Sequence, residues 1–413
     1  MQTRLSEITR VFLRIGCASF GGPAAQIALM HRELVEERRW FSEAEYLSAL
    51  SLCMLLPGPE AMQVATWAGW RRGGVAGGWI AGGLFVLPGA VLILALAAAY
   101  VAWGGLGWVA GLFLGVKAAV VAVVIEALLR VARKALKTRA ARVIALAAFA
   151  ALFVFGLPFP LVLAAAALAG TLALSNSAPV APRPGAAAPT HRATLACLVL
   201  WLAPLAALWL AGGGVLLEIG TFFARLAVLS FGGAYALLAW MVDELAVGRG
   251  WVTTGQMIDA LGLAETTPGP LILVTEFVGF LAGYGQGGWG LGLAAAGLVL
   301  WVTFLPSFLF IFAAAPHLDR IVGRPRLAGA LAGISAAVVG VIANLALIFA
   351  LHLLFGPPGD GPLALPLPDL AAFDWRAGVI AAGAALALLR LHVSLMPVLA
   401  GSALAGLVLA ALG

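Results

Sequence analysis

Phe12-Leu-Arg-Ile-Gly-Cys-Ala-Ser-Phe-Gly-Gly-Pro23 returns 211 positions later as Phe223-Ala-Arg-Leu-Ala-Val-Leu-Ser-Phe-Gly-Gly-Ala234. The likeness runs without a gap over 12–59 and 223–270, where 19 of 48 positions are identical. What returns is not grease but helix breakers and charges. Arg14, Ser19, Phe20, Gly21, Gly22, Glu33, Arg38 and Trp40 reappear as Arg225, Ser230, Phe231, Gly232, Gly233, Glu244, Arg249 and Trp251. Pro57-Gly58-Pro59 reappears as Pro268-Gly269-Pro270. In a membrane chain, such a repeat points to a transporter made of two related halves.

The chain is 63% hydrophobic and 10% charged, with apolar runs such as Val75–Ala102 and Leu327–Leu354. Runs of this length cross about 30 Å of hydrocarbon as helices, and the short alternating segments of a membrane barrel are absent from the sequence. The fold expected is an all-α polytopic membrane protein. The polar start, Met1–Arg10, predicts no cleaved signal. Cys17, Cys53 and Cys197 lie in apolar segments without metal-ligand spacing and read as packing residues. The net charge of +6 arises at Arg130–Arg142, six Lys/Arg without an acid, which suits a cytoplasmic loop and requires no nucleic acid. No Walker loop, zinc spacing or nucleophile motif is present, so neither an enzyme, an ATP-driven pump nor a cofactor is expected.

Thirteen apolar segments are expected: 8–30, 48–70, 75–102, 105–129, 143–157, 159–175, 196–217, 219–241, 256–283, 288–313, 327–355, 377–391 and 394–412. They divide into a first half (1–175), a linker and central helix (176–217) and a second half (218–413). A second block of likeness, Gly111–Ala127 against Gly329–Leu345, has an offset of 218, so about seven residues were inserted near Tyr284–Gly290. Loop charge reverses between copies. The basic Arg130–Arg142 loop corresponds to Gly356–Trp375, which carries Asp360, Asp369 and Asp374, while the uncharged Trp103–Gly107 turn corresponds to the arginine-bearing His317–Arg326. The halves are therefore expected to be inverted, with the N-terminus cytoplasmic and the C-terminus periplasmic in a bacterial inner membrane.

Gly21-Gly22-Pro23 and Pro57-Gly58-Pro59 interrupt their segments near mid-length, so each segment is either a broken span or a re-entrant hairpin. Broken backbone is not tolerated against lipid, so the four breaks should meet near the midplane, buried or lining a polar cavity. A helix restarting after a break offers N–H groups and partial positive charge to an anion. The candidate substrate-binding residues are Ser19, Phe20, Gly21, Gly22, Pro23, Gln26, Pro57, Gly58, Pro59 and Gln63. From the second half come Ser230, Gly232, Gly233, Thr266, Thr267, Pro268, Gly269 and Pro270.

Charge within apolar segments is costly and usually faces a cavity or a partner. Lys117, Arg14 and Arg225 join the candidate anion site; the alternatives are a structural pair of Lys117 with Glu126 or Glu60, and headgroup contacts for the arginines. Glu60 and Glu126 are the candidate proton-coupling residues, with Asp259, Glu265 and Glu276 also set in apolar segments. Glu33/Arg38 and Glu244/Arg249, beside Trp40 and Trp251, read as structural ion pairs at the interface.

These motifs, Phe12–Pro23, Leu56-Pro-Gly-Pro-Glu60 with Gln63, Phe231-Gly-Gly233 and Thr267-Pro-Gly-Pro270, resemble the chromate ion transporter family of the ChrA type, in its two-domain long-chain form. The resemblance covers essentially the whole chain. It implies an inner-membrane secondary transporter that exports chromate, is driven by the proton gradient and confers chromate resistance. The second half departs from the pattern at Ala234 for Pro23 and Leu271 for Glu60. Sulfate or another oxyanion, and a passive anion channel, are the alternatives. Protons, the lipid bilayer and a second copy in a homodimer complete the expected partners.

Overall fold

Apolar residues at nearly every turn leave the backbone no partner in lipid but itself, and the chain answers with helices. The structure, a computed structural model, describes residues 5–174, 190–231, 233–317, 325–357, 359–360 and 366–412. Gly232, residues 175–189 and residues 318–324 lie outside these. The first half contains α1 (Leu5–Ala18), α2 (Gly22–His31), α3 (Glu43–Leu55), α4 (Glu60–Trp103), α5 (Gly107–Ala135), α6 (Arg139–Phe153) and α7 (Phe159–Ala173). After α8 (His191–Leu210) come α9 (Val215–Val228), α10 (Ala234–Met241), α11 (Thr254–Thr266), α12 (Val274–Ala314), α13 (Pro325–Phe355), α14 (Trp375–Ala385) and α15 (Leu395–Ala411). Among the described residues, five helical segments are long and apolar enough to cross a membrane. The protein is thus an all-helical, multi-pass membrane protein.

The halves match element by element. A π turn follows α2 at Arg32–Glu37 and another follows α10 at Val242–Gly248. Arg38 then lies 3.4 Å from Glu33, and Arg249 lies 3.1 Å from Glu244. The next helix starts with a reciprocal cap in both copies, Ser42 with Glu45 and Thr253 with Gln256.

The helices gather into two compact units, each drawing on both halves. Unit one takes Met1–Ala97, Ala178–Ala234 and Ala264–Arg324; unit two takes Ala98–Ser177, Tyr235–Leu263 and Pro325–Gly413.

In the first half, within unit one, the two breaks are the tips of hairpins. Arg14 Nη2 lies 3.5 Å from Glu33 Oε1. Continued straight through the break, that separation would be about 28 Å, so α2 runs back along α1. Arg71 Nη2 likewise lies 3.8 Å from Glu45 Oε1, against about 39 Å for a straight path, so the start of α4 folds back along α3. Arg72 stacks over Trp40 and Trp67 packs on Phe41, fixing the feet of these hairpins together.

α4 and α12 are themselves hairpins. Gly74 (φ 63°) and Gly288 (φ 71°) turn the chain through a conformation that disfavours a side chain. Beyond the first turn, Gly69 meets Gly77 and Gly82 meets Thr66; beyond the second, Gly279 meets Val299 and Gly283 meets Ala295. The inserted residues lie here. Pro59 to Gly73 is 14 positions and Pro270 to Gly287 is 17, while Gly74 to Pro88 is 14 and Gly288 to Pro306 is 18. The second hairpin is longer by three residues on one arm and four on the other, about one helical turn on each.

Two prolines in unit one expose carbonyls that tryptophans recover. Pro306 in α12 cannot donate to the Val302 carbonyl, and Pro204 in α8 cannot donate to that of Leu200. Trp201 Nε1–H donates to Val302 at 3.0 Å, and Trp301 Nε1–H donates to Leu200 at 2.8 Å. Each helix thus supplies the donor that the other lacks.

Unit two packs on glycine. Gly111 and Gly115 of α5 sit against Leu407 and Ser402 of α15, and Gly329 and Gly333 of α13 sit against Gly170 and Ala166 of α7. These are two small-xxx-small seams, the packing that lets membrane helices approach closely. Under the repeat, α5 corresponds to α13 and α7 to α15, so the third-last helix of each half packs on the last helix of the other.

Trp201→Phe should lower the melting temperature of the detergent-solubilised protein, because an orphaned buried carbonyl costs about 1–3 kcal/mol. Pro306→Ala restores the native donor to Val302, so in that background Trp201→Phe should cost close to nothing. An equal cost in both backgrounds would assign the indole a packing role alone.

Candidate substrate and ion sites

Unit one brings the tips together by backbone. Gly58 N–H donates to the Ser230 carbonyl at 3.0 Å, and Gly269 N–H donates to the Ser19 carbonyl at 2.9 Å. The two bonds are the same bond under the 211-residue offset: 58 maps to 269 and 230 to 19. Reciprocal exchange of this kind is what a local twofold produces. Each Pro-Gly-Pro tip therefore docks on the Ser-Phe-Gly-Gly tip of the other half.

The small residues at the tips are required by crowding. Gly58 has φ 116°, and a Cβ there would lie 2.8 Å from both Gln63 Nε2 and Ser307 Oγ. Gly269, at φ 95°, rests against Gly89. Gly89 and Ser307 are themselves mates, each following a mid-helix proline, Pro88 or Pro306. The second halves of the tips are thus seated on equivalent places in α4 and α12.

Polar groups decorate only some of the tips. Gln26 is buried, and its Nε2 donates to the Gly269 carbonyl at 2.6 Å and to that of Ser19 at 3.2 Å. Gln63 Nε2 donates to the Pro57 carbonyl at 2.6 Å. Their mates are Leu237 and Val274, so amides come from the first half alone. Ser19 and Ser230 spend their single hydroxyl protons on the Ile15 and Ala227 carbonyls, and Thr267 does the same on Ala264. These three hydroxyls terminate the incoming helices.

Several buried polar atoms have no hydrogen-bond partner among the described residues: Gln26 Oε1, Gln63 Oε1, Thr303 Oγ1, Ser307 Oγ and Glu276 Oε2. Thr303 and Ser307 are one turn apart on α12. The hairpin register, set by Gly279 on Val299 and Gly283 on Ala295, carries Glu276 to the level of 302–303. α2 begins with Gly22 and Pro23 and has no side-chain cap, leaving first-turn N–H groups at the tip. Buried polar atoms without partners are uncommon and mark ligand or water positions. Ser307 and Thr303 were not evident from sequence; the signal was the recurrence of Pro88-Gly89 as Pro306-Ser307.

The remaining sequence candidates fall as follows. Phe20 is exposed, and Phe231 and Gly233 are half-buried at their tip. Gly232 lies outside the described residues. Glu60 opens α4 directly behind the second tip, and Thr266 closes α11. Arg14 is mostly exposed and paired with Glu33; Arg225 is exposed and donates Nε–H to the Thr221 carbonyl. Glu126 is ion-paired with Arg130 one turn away.

Lys117 belongs to unit two. Its Nζ lies 3.3 Å from Asp259 Oδ2, and Tyr100 donates its hydroxyl to the same oxygen at 2.8 Å. Asp259 is 2% exposed, whereas the Lys117 side chain is 29% exposed. Tyr100 and His352, which share this neighbourhood, carried no signal in the sequence pattern.

Paired broken hairpins with buried polar tips, set in a duplicated helical membrane protein, define a transporter architecture. The chain belongs to the chromate transporter family, whose model matches residues 6–171 and 217–407. It is 38% identical to a chromate transport protein of Pseudomonas aeruginosa over 80% of this chain and 77% of that protein. It is 30% identical to a chromate transport protein of Cupriavidus metallidurans over 84% and 82% of the two chains. An uncharacterised transporter of Methanocaldococcus jannaschii is 25% identical over 82% and 83%. No solved structure matches it.

Gly58→Ala should strain the tip, costing about 1–3 kcal/mol for a side chain held at this φ and lowering thermal stability accordingly. Gly105→Ala, in a turn where a Cβ meets nothing, is the control and should leave melting unchanged. Equal melting of the two variants would show that the tip is loose.

Proposed function

We propose that the chain is a secondary active transporter that exports chromate across the bacterial inner membrane in exchange for protons, and so confers chromate resistance. The family membership and the chromate transport named for two of its relatives support the substrate. One structural observation carries the site: the reciprocal Gly58–Ser230 and Gly269–Ser19 bonds lock four broken helices together beside buried polar atoms without protein partners.

A tetrahedral dianion suits such a place. The first-turn N–H groups of α2 and the hydroxyls of Ser307 and Thr303 are donors, and the amides of Gln26 and Gln63 hold the tips that frame them. Glu60 stands behind the second tip as a candidate carboxylate for coupling. In this reading the halves lie inverted in the bilayer, the N-terminus faces the cytoplasm and the C-terminus the periplasm. Rocking about the local twofold alternates access.

Everted membrane vesicles with an imposed pH gradient should accumulate chromate, and a protonophore should collapse the gradient of chromate. Accumulation no greater than in vesicles lacking the protein would reject export. Ser307→Ala should weaken chromate uptake at least threefold while leaving melting nearly unchanged. Competition by sulfate at equal concentration would widen the substrate to tetrahedral dianions generally.

A further inference from the structure

The substrate reading places chromate at the tips of unit one, yet an ion pair with a buried carboxylate lies in unit two. Lys117 on α5 and Asp259 on α11 form an ion pair in the middle of apolar helices. Tyr100, near the end of α4, donates to Asp259 Oδ2, while Asp259 Oδ1 has no partner among the described residues. His352 on α13 completes the group. A Cβ on Gly255 would lie 3.4 Å from His352 Nε2, 3.5 Å from Lys117 Nζ and 3.7 Å from Thr253 Oγ1. Both nitrogens therefore border the same small space, over a residue with no side chain to fill it.

The repeat does not keep these two charges. Under the two offsets, Asp259 corresponds to Ser48 and Lys117 to Ser335. Each half carries one of the two charges, and the other half has a serine at the matching position. Charge within a membrane helix is costly, so a pair whose two charges are both absent at the repeat-related positions calls for a function. Neither residue lies at a tip.

We infer that Asp259, with Lys117, Tyr100 and His352, is the proton-carrying site that couples transport. The inference rests on the proton-coupled reading above and assigns that role to this cluster instead of Glu60 or Glu126. The groups that face Asp259 and its partner are Tyr100 from α4, Lys117 from α5 and His352 from α13. A proton from water on the more acidic side bonds to the open Oδ1. The carboxylate becomes a neutral acid, its attraction for the Lys117 ammonium ends, and the cluster gains one positive charge. Loss of that proton to water on the other side restores the pair. The ion pair is then the two-state element that proton binding biases, with Lys117, partly exposed, as the member free to move.

The test uses the full-length protein in proteoliposomes containing a pH-sensitive dye. Four readouts are taken: chromate binding, chromate–chromate counterflow, uphill chromate accumulation under a pH gradient, and chromate-dependent proton movement. Asp259→Asn should keep binding and counterflow within about twofold, lose uphill accumulation more than tenfold, and abolish chromate-dependent proton movement. Asp259→Glu should restore part of both coupled signals. Because Asp259→Asn leaves the Lys117 ammonium unpaired, the doubly neutral Lys117→Met/Asp259→Asn variant is measured beside it, and the same pattern is expected.

Retained uphill transport and proton movement in folded variants would overturn the assignment while sparing the proton-coupled reading. Loss of binding and counterflow in parallel with coupling, in a variant of normal melting behaviour, would make the pair part of the substrate path and equally overturn it. If the unmodified protein moves chromate without protons, the coupled reading falls and the assignment with it.

Discussion

A peptide group left unpaired in hydrocarbon is the expense around which this molecule is arranged. Ordinary spanning helices avoid it by bonding within themselves, but this chain interrupts its helices repeatedly and must find partners elsewhere. It finds them by exchange. Gly58 and Gly269 reach the serine carbonyls of opposite halves, and Trp201 and Trp301 serve carbonyls released by Pro306 and Pro204. Gly115 and Gly333 allow α15 and α7 to close on the long helices of the opposite half. In every case the donor or the clearance comes from outside the segment that needs it, so neither half can complete its backbone alone.

That dependence explains why the repeat was so legible. Ser-Phe-Gly-Gly, Pro-Gly-Pro, Glu33/Arg38 and Trp40 are positions where an irregular backbone leaves few acceptable residues, so they survive duplication while the surrounding Leu, Ala and Val interchange. The all-helical membrane class was readable for the simpler reason of sheer apolar length. Whether the broken segments spanned or returned was not readable, because glycine and proline interrupt both equally. Long-range pairs decide it: Arg14 with Glu33 and Arg71 with Glu45 bring residues together that a straight path would separate.

The site was legible in outline and not in detail. Backbone breaks announce themselves by residue type, but Ser307 and Thr303 are ordinary residues in an apolar helix and acquire meaning only from what α12 packs against. Lys117 stood out as a lone cation, yet its partner could not be read from spacing, because Asp259 is 142 positions away on a different helix. Glu126 and Glu60 were nearer in sequence and were for that reason the natural candidates. The two copies share a scaffold and divide the polar work: amides at the tips come from the first, while Asp259 is supplied by the second and replaced in the first by Ser48.

The inserted residues of α12 show how such a scaffold can be changed. A helix turns its faces by about 100° per residue, so one added residue would point every later contact in a new direction. Three on the descending arm and four on the ascending arm come close to a full rotation each, and the buried faces of Gly279 and Gly283 still meet their partners. The hairpin has grown by about 5 Å without being re-threaded. Its arms are therefore longer than those of its twin by about one turn each, while the contacts between them stay in register. Duplication gave the two hairpins one design, and whole turns of helix are the increment by which one of them lengthened without losing its packed faces.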